Sequence, residues 1–127
     1  MPDRELISSG SPFEGTIGFS RAVRVGDRVL VSGTAPVWPD GYCPPDAGAQ
    51  ARRCLEIIVA ALAEAGAGPQ DVVRTRIYLT RADDATVVGE AHADHFGAVR
   101  PAASMVVVAA LLDPRWLVEI EAEAVMG

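Results

Sequence analysis

The sequence predicts an α+β fold in which one sheet of about six strands carries two helices on a single face. Three observations lead to this prediction: an alternating segment near the end, a hairpin pattern near the start, and two segments with apolar residues at helical spacing. The elements follow one another as hairpin, helix, strand, helix, strand and strand. Two helices cover only one face of such a sheet, so the other face needs water or another protein surface.

The last strand, residues 116–125, is the clearest element. From Val118 onward polar and apolar residues alternate strictly, which is the period of a β-strand with two unlike faces. Its apolar face fits beneath helices and consists of Val118, Ile120, Ala122 and Ala124. The other face carries Glu119, Glu121 and Glu123, with next neighbours roughly 6.5–7 Å apart. Two interpretations remain open at this point: a solvated sheet face, or a face covered by another subunit in which one glutamate borders a small-molecule pocket.

The sequence of the N-terminal third predicts a short strand at residues 5–8, a loop at residues 10–19 and then a β-hairpin. The hairpin strands are residues 21–25 and 28–32, which flank a Gly-Asp dipeptide suited to a tight turn. Residues 37–46 contain three prolines and one glycine, so they are expected to form a loop.

Two segments have the periodicity of helices. The first covers residues 46–65, with Asp46 as the N-cap and Gly66 just beyond the end. Its packing face consists of Ala51, Leu55, Ile58, Leu62 and Ala65. The second covers residues 83–96, and its packing face consists of Val88, His92 and Phe96.

The two remaining strands are expected at residues 71–80 and 103–109. In the first, one face consists of Val73, Thr75, Ile77 and Leu79, and the other of Arg74, Arg76 and Tyr78. In the second, alternation groups Ala103 with Met105 and Val107 on the face of the glutamates, and turns Ser104, Val106 and Val108 toward the helices.

Composition limits the class of protein. At 127 residues the chain is expected to form a single domain over residues 1–127, with roughly two thirds of the unfolded surface buried. The chain is 50% hydrophobic and its mean hydropathy is +0.21, a surplus that suggests an oligomer with apolar interfaces. A net charge of -6 offers no basic field for a phosphate backbone, so no nucleic-acid partner is expected.

The cysteines and the apolar segments of the sequence indicate the cellular compartment of the protein. Cys43 and Cys54 are too few for a disulfide framework and fit a reducing compartment. No signal-peptide pattern opens the chain, and the longest apolar run, residues 102–112, is too short to span a bilayer. We therefore expect a soluble, cytoplasmic protein without a membrane partner.

Seven short segments, read together in their order and spacing, resemble the Rid family, also called YjgF or endoribonuclease L-PSP-like. They are Arg21-Ala22-Val23-Arg24-Val25-Gly26, Val29-Leu30-Val31-Ser32-Gly33, Asp71-Val72-Val73, Tyr78-Leu79-Thr80, Phe96-Gly97, Arg100-Pro101-Ala102 and Val118-Glu119-Ile120-Glu121-Ala122. The resemblance implies a chorismate-mutase-like α+β fold assembled as a homotrimer. It also implies three ligand clefts between neighbouring subunits, with the glutamate face as interface and cleft.

The best-known members of this family hydrolyse reactive enamines and imines to a 2-oxo acid and ammonia. By resemblance, the glutamate that positions the attacking water corresponds to Glu119, and the glycine of the cleft to Gly33. The aromatic residue that closes the cleft corresponds to Phe19, which lacks the usual hydroxyl. The carboxylate-binding arginine of the fifth strand corresponds to Ala103, and a cysteine common two residues later corresponds to Met105.

With alanine at position 103, the chain resembles an arginine-lacking branch of the family. Loss of a desolvated arginine–carboxylate contact removes about 2–5 kcal/mol of ligand binding, so the usual imino-acid substrate is not expected. Arg100, in the loop before the fifth strand, is a candidate for a replacement anion contact, with a solvated arginine as the alternative.

Two functions remain open. One is a hydrolase or deaminase of a small imine-like metabolite in which Glu119 acts as general base. The other is a non-catalytic metabolite-binding or regulatory trimer, in which Glu119 pairs with Arg74 or Arg76 of a neighbouring subunit. RNA cleavage is disfavoured, because the chain is acidic and has no paired histidines for acid–base chemistry.

No metal or cofactor is expected. His92 and His95 have a spacing that can bind a metal, but no third ligand stands at an informative position. Ser104 lacks the context of a nucleophilic serine.

Overall fold

In residues 3–127, the part of the chain that the computed structural model describes, six strands form one sheet and two α-helices pack on one of its faces. The strands are β1 (Arg4–Ile7), β2 (Ala22–Val25), β3 (Arg28–Thr34), β4 (Val72–Leu79), β5 (Ala102–Val107) and β6 (Val118–Val125). The helices are α1 (Ala47–Glu64) and α2 (Ala85–Phe96). Short helical turns occur at Glu14–Gly18, Pro69–Asp71 and Ala82–Asp84. The predicted α+β class with two helices on one face is confirmed.

The strand order across the sheet is β1-β2-β3-β6-β4-β5, and the last strand of the chain therefore lies in the middle. Neighbouring strands are antiparallel except for β4 and β5, which are parallel. The apolar face predicted for β6 is buried beneath the helices together with Leu55 and Ile58 of α1. Burying one side chain such as Ile120 contributes about 1.5–3 kcal/mol.

Helix α1 is fixed at both ends. The Asp46 side chain accepts a hydrogen bond from the Ala49 amide at 3.0 Å, which confirms Asp46 as the N-cap. At the other end, Nη1 of Arg24 donates to the Ala65 carbonyl at 2.7 Å, so the hairpin holds the helix C-terminus. No helix within residues 3–127 has the length and hydropathy needed to cross a membrane.

Gln50 fastens α1 to the segment that leads into β6. This fully buried side chain donates from Nε2 to the carbonyls of Pro44 and Arg115, at 2.8 and 3.0 Å, and accepts from the Leu117 amide at 2.7 Å. These contacts close the loop at residues 37–46 against the start of β6. The sequence pattern did not reveal them, because a lone glutamine in a helix is usually exposed.

A bulge in β4 places Val73 on a different face from the one that the alternation predicted. Val72 pairs with Ala124 and Arg74 with Glu123, so Val73 is one residue too many in the ladder. As a result Val72 is buried, and Val73, which the alternation placed on the buried face, is 46% exposed.

The register of β5 contradicts the predicted faces of that strand. Ala103 pairs with Thr75 and Met105 with Ile77, and paired residues project to the same face of a sheet. Because Thr75 and Ile77 are buried beneath the helices, Ala103 and Met105 lie on the helix side and not on the face of the glutamates. Accordingly, Arg74, on the glutamate face, donates from Nη2 to Oγ of Ser104 at 3.4 Å.

The cause of this error is the position of β5 at the edge of the sheet. Ala103, Met105 and Val107 remain exposed although they lie on the helix side. An edge strand built from small and apolar residues shows no contrast between its faces, so alternation alone cannot orient it. The strand also ends at Val107, two residues before the predicted end.

Candidate functional site

Glu119 and Gly33 meet where β3 passes β6. The pairing of β3 with β6 shifts between Val31 and Thr34, because Val31 pairs with Ala122 and Thr34 with Ile120. Two residues of β3 therefore stand opposite one residue of β6, which is a bulge. The Glu119 carboxylate lies directly against Gly33, and a β-carbon added at Gly33 would overlap Oε2 of that carboxylate. Only glycine leaves Glu119 in this place.

Arg21 and Phe19 border the same point. Nη2 of Arg21 donates to the Gly33 carbonyl at 2.8 Å, and the guanidinium carbon lies 5.7 Å from the centre of the Phe19 ring. Within residues 3–127, Nε of Arg21 is buried without a hydrogen-bond partner. The sequence interpretation missed Arg21, since one arginine at the start of a hairpin strand resembles any solvated arginine.

The electrostatic environment of Glu119 favours a basic carboxylate. Burial raises the pKa of Glu119, the charge of Arg21 acts in the opposite direction, and Glu121 raises the pKa further. Burial lowers the pKa of Arg21, and the carboxylates of Glu14 and Glu119 oppose this effect. In the described chain, Arg21 and Glu119 flank Gly33 without an ion pair or a hydrogen bond between them.

The other two glutamates of the row are compensated by their neighbours. The Tyr78 hydroxyl donates to Glu121 at 2.7 Å, and Nη1 of Arg76 lies 3.5 Å from carboxylate oxygens of both Glu121 and Glu123. Arg28 adds a contact of 3.6 Å to Glu123. Glu119 therefore differs from the other two glutamates of this face. It contacts Gly33 and does not contact an arginine of the same face.

The structure brings together some predicted site residues and separates others. Phe19, Gly33 and Glu119 form one cluster through Arg21. Ala103 and Met105 lie on the opposite face of the sheet, two strands beyond β6. From the pairing, Ala103 is roughly 9.5 Å across the sheet and 10 Å along it from Glu119. A single chain therefore does not bring these two groups into one pocket.

Arg100 lies outside the cluster as well. It is exposed, its amide donates to the Phe96 carbonyl at 2.8 Å, and its φ of 57° is the left-handed conformation common at helix ends. Arg100 therefore closes the turn that follows α2 and precedes β5.

Comparison with known proteins identifies the family. The family profile described as Endoribonuclease L-PSP matches residues 11–126. The chain belongs to this family, which includes the Rid and YjgF proteins.

Three relatives illustrate the relationship. A crystal structure of a YjgF/YER057c/UK114 family member from Mycobacterium tuberculosis is 49% identical, with a TM-score of 0.91, covering 98% of this chain and 100% of that chain. The 2-iminobutanoate/2-iminopropanoate deaminase of Escherichia coli K12 is 36% identical over 112 residues, 84% of this chain and 86% of the relative. The structure of E. coli TdcF with bound serine has 29% identity and a TM-score of 0.81, covering 96% of this chain and 92% of that chain.

The two histidines of this Rid protein have structural partners. Nε2 of His92 lies 2.8 Å from Oγ1 of the buried Thr75, and Nδ1 of His95 donates to the Ala91 carbonyl at 3.0 Å. Burial lowers the pKa of His92 and raises the pKa of both cysteine thiols, so neither thiol is activated. In the part of the chain that the structure describes, no three metal-binding side chains cluster.

Proposed function

We propose that this Rid protein hydrolyses the C=N bond of a reactive imine or enamine metabolite, with Glu119 as the catalytic carboxylate. The observation that carries the proposal is the place of Glu119: partly buried, against Gly33, beside Phe19 and Arg21, and not paired with the arginines of its own sheet face. The names of the deaminase relatives support the same class of reaction.

The reaction needs a base that holds water next to an electrophilic carbon. Ionised Glu119 accepts a proton as the water oxygen bonds to the imine carbon, and the electrons of the C=N bond move to nitrogen, which takes up a proton. The carbinolamine then breaks its C–N bond, releases ammonia and leaves a carbonyl group. A pKa raised by burial makes Glu119 a stronger base than an exposed glutamate.

The substrate is proposed to differ from 2-iminobutanoate. Ala103 offers no cation for a carboxylate at the position where the resemblance expects arginine, which removes about 2–5 kcal/mol of binding. Imines of small aliphatic amino acids are therefore expected to be poor substrates.

The complete site is proposed to form between two copies in a homotrimer. Because Ala103 and Met105 lie on the opposite face from Glu119, one cleft would combine Glu119, Gly33 and Phe19 of one copy with β5 of the next. Apolar side chains exposed on this strand, such as Val107 at 54%, support burial against a neighbour.

The non-catalytic alternative requires a neighbour's Arg74 or Arg76 to neutralise Glu119. Arg76 already lies against Glu121 and Glu123, and Arg74 donates to Ser104. These contacts favour the hydrolase.

The test is an assay of ammonia release from imines that an amino-acid oxidase generates in situ from a panel of amino acids. Wild type should act on part of the panel and only slowly on the imine of 2-aminobutyrate. Ala103→Arg should raise the rate on that imine and leave stability within about 1 kcal/mol, because position 103 is exposed. Wild-type turnover of this small imine equal to that of the E. coli deaminase would contradict the proposed role of position 103.

A further inference from the structure

Helix α2 brings a hydrogen-bonding group close to β5 on the helix side of the sheet. Nε2 of His92 lies 2.8 Å from Oγ1 of Thr75, and Thr75 pairs with Ala103 of β5. Because neighbouring strands of a sheet lie about 5 Å apart, Nε2 of His92 is within about 9 Å of the Ala103 side chain. We refer to His92, Ala103 and Met105 as the β5 wall.

His92 faces the margin of the sheet that α1 does not cover. Helix α1 packs on β3 and β6, and the side of α2 that contacts α1 carries Val87 and Asp94. Val87 lies beside Gly48, and Asp94 pairs with Arg52 at 2.7 Å. His92 is roughly 140–160° around the helix from Val87 and Asp94. It therefore points away from α1, over β4 and toward β5.

The hydroxyl of Thr75 fixes the tautomer of His92. Thr75 is fully buried, and within residues 3–127 the imidazole is the one hydrogen-bond partner of its side-chain oxygen. A buried hydroxyl hydrogen without an acceptor is costly, so the hydroxyl donates to Nε2. Burial and the neighbouring His95 lower the pKa of His92, so the ring is neutral at pH 7 and carries its single proton on Nδ1.

Nδ1 of His92 is an N–H donor that reaches the surface. In the described residues it has no hydrogen-bond partner, and it is not one of the buried side-chain atoms that lack a partner. The other side chains of the β5 wall carry no charge. Arg100, the arginine that precedes β5, stands three residues before Ala103, roughly 10 Å along the chain. The β5 wall therefore offers a neutral donor and no cation.

We propose that Nδ1 of His92 donates a hydrogen bond to a neutral oxygen of the ligand, such as an amide carbonyl or a hydroxyl, in the cleft between two copies. This inference rests on the proposed function, in which β5 of one copy faces Glu119 of the next. A neutral N–H satisfies a neutral acceptor but leaves the charge of a desolvated carboxylate without compensation.

His92 is thereby a specificity-determining residue. It selects imines that present an amide or a hydroxyl to β5 over imines that present a carboxylate there. Among imines derived from amino acids, an amide or hydroxyl of the side chain takes this place.

The binding test compares 2-oxobutanamide with 2-oxobutanoate, which have the same shape and differ in the charge of one group. Calorimetric titration of wild type should show that the amide binds at least tenfold more tightly. Thr75→Val combined with His92→Phe replaces both members of the hydrogen-bonded pair by apolar groups of similar shape, and this double variant should lose the preference. His95→Gln is the matched control on the same helix. It should keep the preference, because Nδ1 of His95 donates to the Ala91 carbonyl.

A spectroscopic test needs no variant. The ¹⁵N NMR spectrum of the histidine rings of wild type distinguishes the two neutral tautomers. His92 should be the Nδ1–H tautomer, and 2-oxobutanamide should shift its Nδ1 resonance while that of His95 stays unchanged.

Each result decides the proposal. An Nε2–H tautomer of His92 overturns it, as does an Nδ1 resonance that 2-oxobutanamide leaves in place. Equal preference in wild type and in the double variant, with folding and mass verified by thermal unfolding and sedimentation, overturns it as well. So does a wild type that binds 2-oxobutanoate more tightly or binds neither compound. If the double variant does not fold, the resonance of the wild type decides alone.

Failure of the proposed function has a separate outcome. Glu119→Gln should keep the binding of 2-oxobutanamide while ammonia release is lost. If wild type binds 2-oxobutanamide through His92 but hydrolyses no imine, the hydrolase proposal fails and the donor site remains. If the double variant hydrolyses the imines of the amino-acid panel with the rates and the selectivity of wild type, the role of His92 fails and the hydrolase proposal remains.

Discussion

At the scale of the residue, Glu119 and Gly33 form a pair in which each restricts the other. The bulge in β3 brings the backbone of Gly33 against the Glu119 carboxylate, and burial makes the charged form of that carboxylate costly. Because both features lie at one contact, we expect conservative substitutions at either residue to change activity strongly and stability only slightly.

Gly33→Ala should cost less than about 1 kcal/mol of stability, because the group that the new methyl meets is the flexible end of Glu119 and the backbone φ of Gly33 is not positive. The displaced carboxylate should nevertheless lower activity about tenfold to a hundredfold. Thermal unfolding and initial rates measure the two effects. Gly89→Ala, at a helix position with nothing within 4 Å, is the matched control and should leave activity unchanged. Equal activity of Gly33→Ala and wild type would contradict the assigned position of Glu119.

Glu119→Gln should increase the free energy of unfolding at pH 7. The pKa of Glu119 is higher in the folded than in the unfolded chain, so its contribution to stability is present at low pH and is lost as the pH rises through the folded value. The gain from glutamine should therefore shrink as the pH falls toward the ordinary glutamate value of 4.5. Denaturant unfolding of both proteins at several pH values and one protomer concentration measures this difference in the free energy of unfolding. Glu123→Gln, which loses contacts to Arg28 and Arg76, should show no gain.

At the scale of the element, local patterns identified some parts of the fold better than others. The alternation of β6, the hairpin turn and the Asp46 cap were predicted because their signals lie within a few consecutive residues. The bulge at Val73 and the facing of β5 depend on pairing with distant strands, so alternation gave the wrong face for Val73, Ala103 and Met105.

The site shows the same division. The resemblance could single out Glu119, Gly33 and Phe19 as candidates, because short segments of sequence carry them, and their role in a site stays a prediction. Arg21 and Gln50 could not, because their roles come from tertiary contacts that neither periodicity nor spacing encodes.

Gln50→Leu should destabilise the protein by about 2–3 kcal/mol, because leucine fills the space but removes the side-chain partner of three backbone groups, those of Pro44, Arg115 and Leu117. Chemical denaturation measures the loss. Gln70→Leu, at an exposed position in the turn before β4, is the control and should change stability by less than about 0.5 kcal/mol. A Gln50→Leu variant as stable as wild type would show that water replaces these hydrogen bonds.

At the scale of the whole molecule, the sheet has one face under helices and one face without cover. The uncovered face combines the three glutamates with Arg28, Arg74, Arg76 and Tyr78, and apolar residues such as Leu30 and Val106 are more than 40% exposed. Such a surface is typical of an interface between subunits.

The protein should sediment as a trimer at micromolar concentration. Three chains of net charge -6 carry 3 × -6 = -18, which keeps the assembly soluble while its apolar surface is buried. Sedimentation equilibrium or light scattering measures the mass. A monomer at this concentration would contradict both the trimer and the cleft between subunits.

The most direct measurement for the central proposal compares ammonia release by wild type, Glu119→Gln and Glu123→Gln on one imine substrate from the panel. Both variants remove one carboxylate from the same face of the same strand, but only Glu119 lies against Gly33. If Glu119 is the general base, Glu119→Gln should reduce kcat about 10²–10⁴-fold, whereas Glu123→Gln should stay within a few-fold of wild type. Equal rates for Glu119→Gln and wild type, or an equal loss in both variants, would contradict the assignment of Glu119 as the catalytic carboxylate.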